Sequence, residues 1–144
     1  MTPAALRRWM LGITAVGLAG TPVDLALTGH YGSPPQIIPF VLCGLGLIAV
    51  IVAAVRPMKP TIWALRGVMG LVVAGSLFGV WEHIEHNAEF TAEILPNASG
   101  LELAADVLTG ANPILAPLAL LLLATLGIAS TWRQVGADGS GPAD

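Results

Sequence analysis

The chain has 144 residues, of which 55% are hydrophobic and only 10% charged, with a mean hydropathy of +0.78. Soluble domains carry about 25% charged residues, and a soluble fold of this length has too much surface for its volume to hide so large an apolar excess. A soluble globule and a disordered chain are both excluded, which leaves an integral membrane protein of one domain.

Four stretches reach the roughly 20 mostly apolar residues that cross a hydrocarbon core of about 30 Å. They cover residues 9–29, 37–55, 61–86 and 113–132, the third remaining apolar as far as Trp81. Breakers separate them: Ser33-Pro34-Pro35, the segment from Pro57 to Pro60, and Pro96 through Gly100. Between the third and fourth spans, over an outer loop of residues 87–112, Leu101, Ala104, Ala105 and Leu108 recur at helical spacing. Glu102 and Asp106 fall on the opposite side, so Gly100 to Thr109 reads as a short amphipathic helix. The expected fold is all-α: a four-helix transmembrane bundle over residues 1–134 with a short outer helix, followed by a flexible tail at 135–144.

Charge sets the orientation. All six basic residues (Arg7, Arg8, Arg56, Lys59, Arg66 and Arg133) fall at one end of this topology. The positive-inside rule makes that end cytoplasmic, with both termini inside and the chain multi-pass in a plasma or inner membrane. Seven of the nine acids, Asp24, Glu82, Glu85, Glu89, Glu93, Glu102 and Asp106, lie toward the other end with all three histidines. Only Asp138 and Asp144 break the sorting. With no basic patch larger than two residues, the expected partners are the lipid bilayer and either another membrane protein or a second copy, not nucleic acid. Arg7-Arg8 and the apolar run to Gly20 resemble an export signal, but the run continues past Asp24 and no small-x-small cleavage site follows. Cys43, alone, can form no internal disulfide and reads as small apolar filler.

The chemistry concentrates at the acidic end. Asp24 lies 16 residues past Arg8, and Glu82 lies 16 past Arg66, so both sit about 24 Å up their helices. His30, His83 and His86 fall at a similar depth, forming one layer if the first and third helices touch. An ionisable group within a span needs a partner or water. The third helix carries four acids and two histidines between Glu82 and Glu93, with Glu82, His86, Glu89 and Glu93 on one stripe. Such a stripe is by default a solvated face. Carboxylate and imidazole at this spacing is also how helical bundles present ligands to a transition-metal ion. Asp24, His30, His83, His86, Glu89 and Glu93 are therefore the candidate metal ligands, with Asn87 and Glu82 behind them and Asn87 expected to orient His83. A b-type haem ranks below a metal ion, and no Cys-x-x-Cys-His exists for covalent haem. No catalytic residue is indicated. The rival expectation is a non-catalytic accessory or scaffold subunit in which the same polar layer ties the helices together. A transporter ranks last, for want of broken midplane helices. Asn97-Ala98-Ser99 matches a glycosylation acceptor and is equally a turn.

The run Gly79-x-x-x-His83-x-x-x-Asn87-x-Glu89-Phe90-x-x-Glu93 resembles a family of uncharacterised bacterial four-helix integral membrane proteins with an H-x-x-x-N-x-E-F-x-x-E signature. Asp24-Leu25-Ala26-Leu27-Thr28-Gly29-His30, then Gln36-Ile37-Ile38-Pro39 and Pro113-Ile114-Leu115-Ala116-Pro117, fit as well. Glu82 and His86 fall outside that pattern, and Leu118 stands where it has glycine. The resemblance implies four membrane helices and raises His30, His83, Asn87 and Glu89 above His86, but carries no activity.

Overall fold

The computed structural model describes residues 2–97 and 99–132, which form five helices joined by short connections, with no strand among the described residues. Arg133, Asp138, Asp144 and the expected tail lie outside the described residues, as does Ala98 of the Asn97-Ala98-Ser99 triplet.

Helix α1 spans Pro3–Leu27, opened by a Thr2 hydroxyl that accepts from the Ala5 N–H at 3.2 Å. It closes in a Schellman turn: the Gly29 N–H reaches Ala26 O at 3.2 Å and the His30 N–H reaches Leu25 O at 2.8 Å. That turn requires a left-handed residue, which Gly29 supplies at φ 71°. Helix α2, Pro34–Val55, begins with two prolines whose missing N–H groups would be unpaired there anyway. Gln36 Oε1 caps it, accepting from the N–H groups of Gly32 at 2.7 Å and Ser33 at 3.2 Å. Helix α3, Lys59–Ile94, runs 36 residues, with no Gly or Pro between Gly79 and Pro96, and stops where Pro96 forces Leu95 out of helical conformation. At 1.5 Å per residue it is about 54 Å long. Helix α4 occupies Gly100–Thr109, as its amphipathic spacing predicts, and α5 occupies Leu115–Ala129.

Three of these helices, α1, α2 and α3, are long and apolar enough to cross a membrane. The last is apolar but has only 15 helical residues, against the 20 expected over 113–132. Pro113 and Pro117 withhold N–H groups at its start. At its end the Ser130 and Thr131 hydroxyls donate back to Gly127 O and Ile128 O at 2.7 Å each, and the chain continues to Trp132 in tighter turns.

Four helices close a ring in the order α1, α2, α3, α5, each packing on two neighbours, and α4 packs on α3. Helices α1 and α3 thus face each other diagonally rather than along a shared seam. Within the ring lie Leu11, Leu18, Cys43, Val50, Leu65, Met69, Val72, Leu120 and Ala124. Outside it, Val16, Leu27, Val55, Leu115 and Leu122 stand exposed. An apolar surface of this kind suits lipid as the solvent. Small residues permit the approach of the helices: a Cβ on Gly17 would meet Leu123, one on Gly75 would meet Leu42, and one on Gly127 would meet Met69. At the basic end, Arg7 donates to Ala53 O at 3.0 Å, bracing the carbonyl-rich last turn of α2.

Substituting Gly127→Leu should therefore cost about 1–3 kcal/mol by overpacking. Gly70→Leu, where a Cβ meets nothing within 4 Å, should be tolerated. Thermal unfolding of the two variants in detergent checks the difference.

Candidate functional site

One face of α3 serves two neighbours. Along the basic half its buried residues are Ile62, Leu65, Met69 and Val72; further along the same face come Ser76, Asn87 and Thr91. The side chains change from apolar to polar where α3 leaves the ring and meets the connection between α4 and α5.

Three positions one turn apart, Gly79, His83 and Asn87, hold that connection. At Gly79 a Cβ would stand 3.2 Å from the Pro117 ring, so glycine lets the start of α5 close against α3. His83 Nδ1 lies 3.0 Å from Pro113 O. A carbonyl can only accept, so Nδ1 carries the proton and Nε2 of the neutral ring is left with its lone pair. Asn87 is 1% exposed. Its Nδ2 donates to Val107 O at 2.9 Å and to Asn112 O at 3.0 Å. Its Oδ1 accepts from the Asn112 backbone N–H at 2.9 Å and from Asn112 Nδ2 at 3.1 Å. The amide thereby uses two donors and two acceptor positions, its full capacity. Gly110 lies so close that a Cβ there would stand 2.7 Å from Asn87 Cγ. Asn87 was expected to orient His83; its side chain binds the α4–α5 connection instead, because that segment's backbone groups lie within its reach.

The third contact at this end comes from the α1–α2 loop. The His30 ring stands 6.2 Å from the His83 ring, centroid to centroid, tilted by 50°. Because α1 and α3 are diagonal, it is the loop residue after the Gly29 turn that crosses to α3. His30 and His83 are the two expected ligands that the fold brings into contact. Asp24 is exposed, lying off the buried α1 stripe of Leu11, Thr14 and Leu18. His86, Glu89 and Glu93 are exposed, Glu82 is half-buried, and His86 Nδ1 donates to its own helix at Glu82 O, 2.7 Å away. Among the described residues, no three His, Cys, Asp or Glu side chains gather as a group that could hold a metal ion.

Helix α4 returns alongside the far part of α3, joined to it by Pro96-Asn97 at one end and by Asn87 at the other. Gly100, at φ 59°, allows the chain to turn into it. The rotation of α4 differs from expectation. Leu103 and Val107 are half-buried, whereas Leu101 and Leu108 of the expected apolar face are 87% and 60% exposed. Capture of Val107 O by Asn87 fixes that rotation. No lysine or arginine occurs anywhere from Glu82 to Asn112. Asn112 and Gly110 take part in this arrangement yet are not singled out by the sequence, and Pro113 stands out there only as the start of the last apolar run. The only signal there was a glycine followed by Asn-Pro in a connection.

The chain matches no protein-family model, no curated protein and no solved structure.

Replacing Asn87 with Ala orphans the Asn112 N–H and two carbonyls, and should destabilise the α4 region by about 2 kcal/mol. Gly110→Ala should act in the same direction by displacing the Asn87 amide. Limited proteolysis should then cut within 99–112 in both variants while the ring helices stay intact.

Proposed function

We propose that this chain is a small multi-pass plasma-membrane protein that acts as a non-catalytic scaffold or accessory subunit. In this reading the ring of α1, α2, α3 and α5 spans the bilayer with both termini cytoplasmic, and the far part of α3 with α4 forms a rigid acidic hairpin on the opposite side. The observation that carries it is the ladder of Gly79, His83 and Asn87 against Pro117, Pro113 and Asn112. Its contacts are directed at holding a connection rather than at an open cavity. The fourth span is supported by the apolar run of α5 and its continuation to Trp132, and the orientation by the sorting of basic residues to one end. The exposed Leu101 and Leu108 beside Glu102 and Asp106 give the hairpin a surface for a membrane-protein partner.

A second reading, a metal-binding site, has one observation in its favour. His83 is oriented as metal-ligating histidines are, with one ring nitrogen donating to a backbone carbonyl and the other free for a ligand. The neighbouring His30 ring would supply a second nitrogen. Exogenous ligands or a partner would complete the coordination, with Asp24, His86, Glu89 and Glu93 not contributing in this arrangement.

Two measurements test these readings. With Cys43→Ser as background, an impermeant thiol reagent should label Leu101→Cys in intact cells and Met58→Cys only after permeabilisation. Labelling in the reverse order would contradict the orientation. Metal analysis of the purified protein should find no stoichiometric metal under the scaffold reading. One ion per chain, lost in His30→Ala with the fold retained, would favour the second.

A further inference from the structure

Arg66 has no acidic side chain beside it among the described residues. It sits on α3 two turns beyond Lys59, about 10 Å along the helix. Its guanidinium is held in place on one side: Nε donates to Thr131 Oγ1 and Nη2 to Thr131 O, each at 2.9 Å. Below it lies the Trp63 ring, 5.2 Å from Cζ to the ring centroid. These partners satisfy hydrogen bonds but none carries a negative charge. The acids among the described residues stand on Asp24 and beyond Trp81, toward the opposite end of the helices. At the membrane interface such a cation is balanced by water or by an anionic ligand.

Beside the guanidinium, a cavity of about 340 Å³ opens at the seam of α3 and α5, lined by Arg66, Ile128 and Trp132. Trp63 and Trp132 are 57% and 78% exposed there. Indole rings of this kind concentrate at the level of lipid headgroups. The wall chemistry is graded: a fixed cation at one side, aliphatic Ile128 at another, and an amphipathic indole over the edge. A phosphate group with an attached apolar chain matches that gradient, and Arg is suited to phosphate because its planar fork keeps donors in fixed directions.

We propose that the Arg66–Ile128–Trp132 cavity binds the phosphate of an anionic phospholipid, with the acyl chain along the α3–α5 seam. The site rests on the bilayer reading of the helices but not on the scaffold role. Thr131 positions the guanidinium, Arg66 neutralises the phosphate, and Ile128 with Trp132 covers the glycerol and upper chain. The same chemistry would accept free phosphate, so the source is decided by experiment.

The probe is tryptophan quenching in vesicles of brominated phosphatidylglycerol or brominated phosphatidylcholine. Trp9→Phe and Trp81→Phe leave Trp63 and Trp132 as reporters. The protein with Arg66 should favour phosphatidylglycerol by about fivefold, the size expected of one cation acting on an anionic lipid. Arg66→Gln should reduce that preference to about one while quenching by phosphatidylcholine persists, which reports a folded, inserted protein. Arg66→Lys, keeping charge but losing the fork, should fall between. Millimolar inorganic phosphate added to vesicles of brominated phosphatidylglycerol should leave the quenching unchanged; relief of quenching would overturn the lipid source in favour of free phosphate. Equal quenching by the two lipids in the Arg66 protein, or a preference surviving Arg66→Gln, would overturn the site. Absence of any quenching by either lipid would instead overturn the bilayer reading on which it rests.

Discussion

The arrangement of this chain beyond its helical ring depends on one amide. A connection that leaves one helix and enters another exposes backbone N–H and C=O groups that must find partners. Between α4 and α5 those groups are met by Asn87, which spends both donors and both acceptor positions on Val107 and Asn112. A single buried side chain thus sets where α4 ends, how it is rotated and where α5 begins. His83 and Gly79 extend the same contact by one and two turns, toward Pro113 and Pro117.

That contact is possible because α3 is continuous. A break near Trp81 would have separated the apolar face that closes the ring from the polar face that holds α4. With 36 helical residues the two faces are one stripe, and the position of Met69 in the core is rigidly related to that of Asn87 outside it. The ring places apolar residues both inside and outside, so its helices are suited to lipid. Charge is confined to the ends. Arginines at one end brace helix carbonyls of α2 and the residues after α5, while at the other Asp24, Glu85, Glu89, Glu93 and Glu102 remain exposed and Glu82 and Asp106 are half-buried. Scarce charge in the composition has become two chemically distinct ends.

Much of the fold was legible. Prolines and glycines marked the helix boundaries, and the helical spacing of apolar residues gave the extent of α4, Gly100–Thr109, but not the face it buries. Counting depth put His30 and His83 in one layer on condition that α1 and α3 touch; the helices are diagonal, and the two rings meet because the Gly29 turn, not α1 itself, delivers His30. Asp24 illustrates the opposite case. Depth along a helix is readable from residue numbers, but direction around it depends on which neighbours the helix has, and α1 turns Asp24 away from the ring. The role of Asn87 was hidden for another reason. Its partners are largely backbone atoms of Val107 and Asn112, which carry no side-chain signature. The acids that dominate the pattern, Glu82, Glu85, Glu89 and Glu93, drew attention through their charge, while a neutral amide on the adjacent stripe holds the structure.

The most direct test of this account is amide hydrogen exchange across residues 99–112 in the detergent-solubilised protein and in Asn87→Ala. The account predicts slow exchange at the Asn112 N–H and in α4 of the parent chain. Both should be lost on removing the Asn87 amide, with protection in α1, α2 and the first part of α3 unchanged. Rapid exchange of α4 in the parent chain, or protection that survives Asn87→Ala, would contradict it.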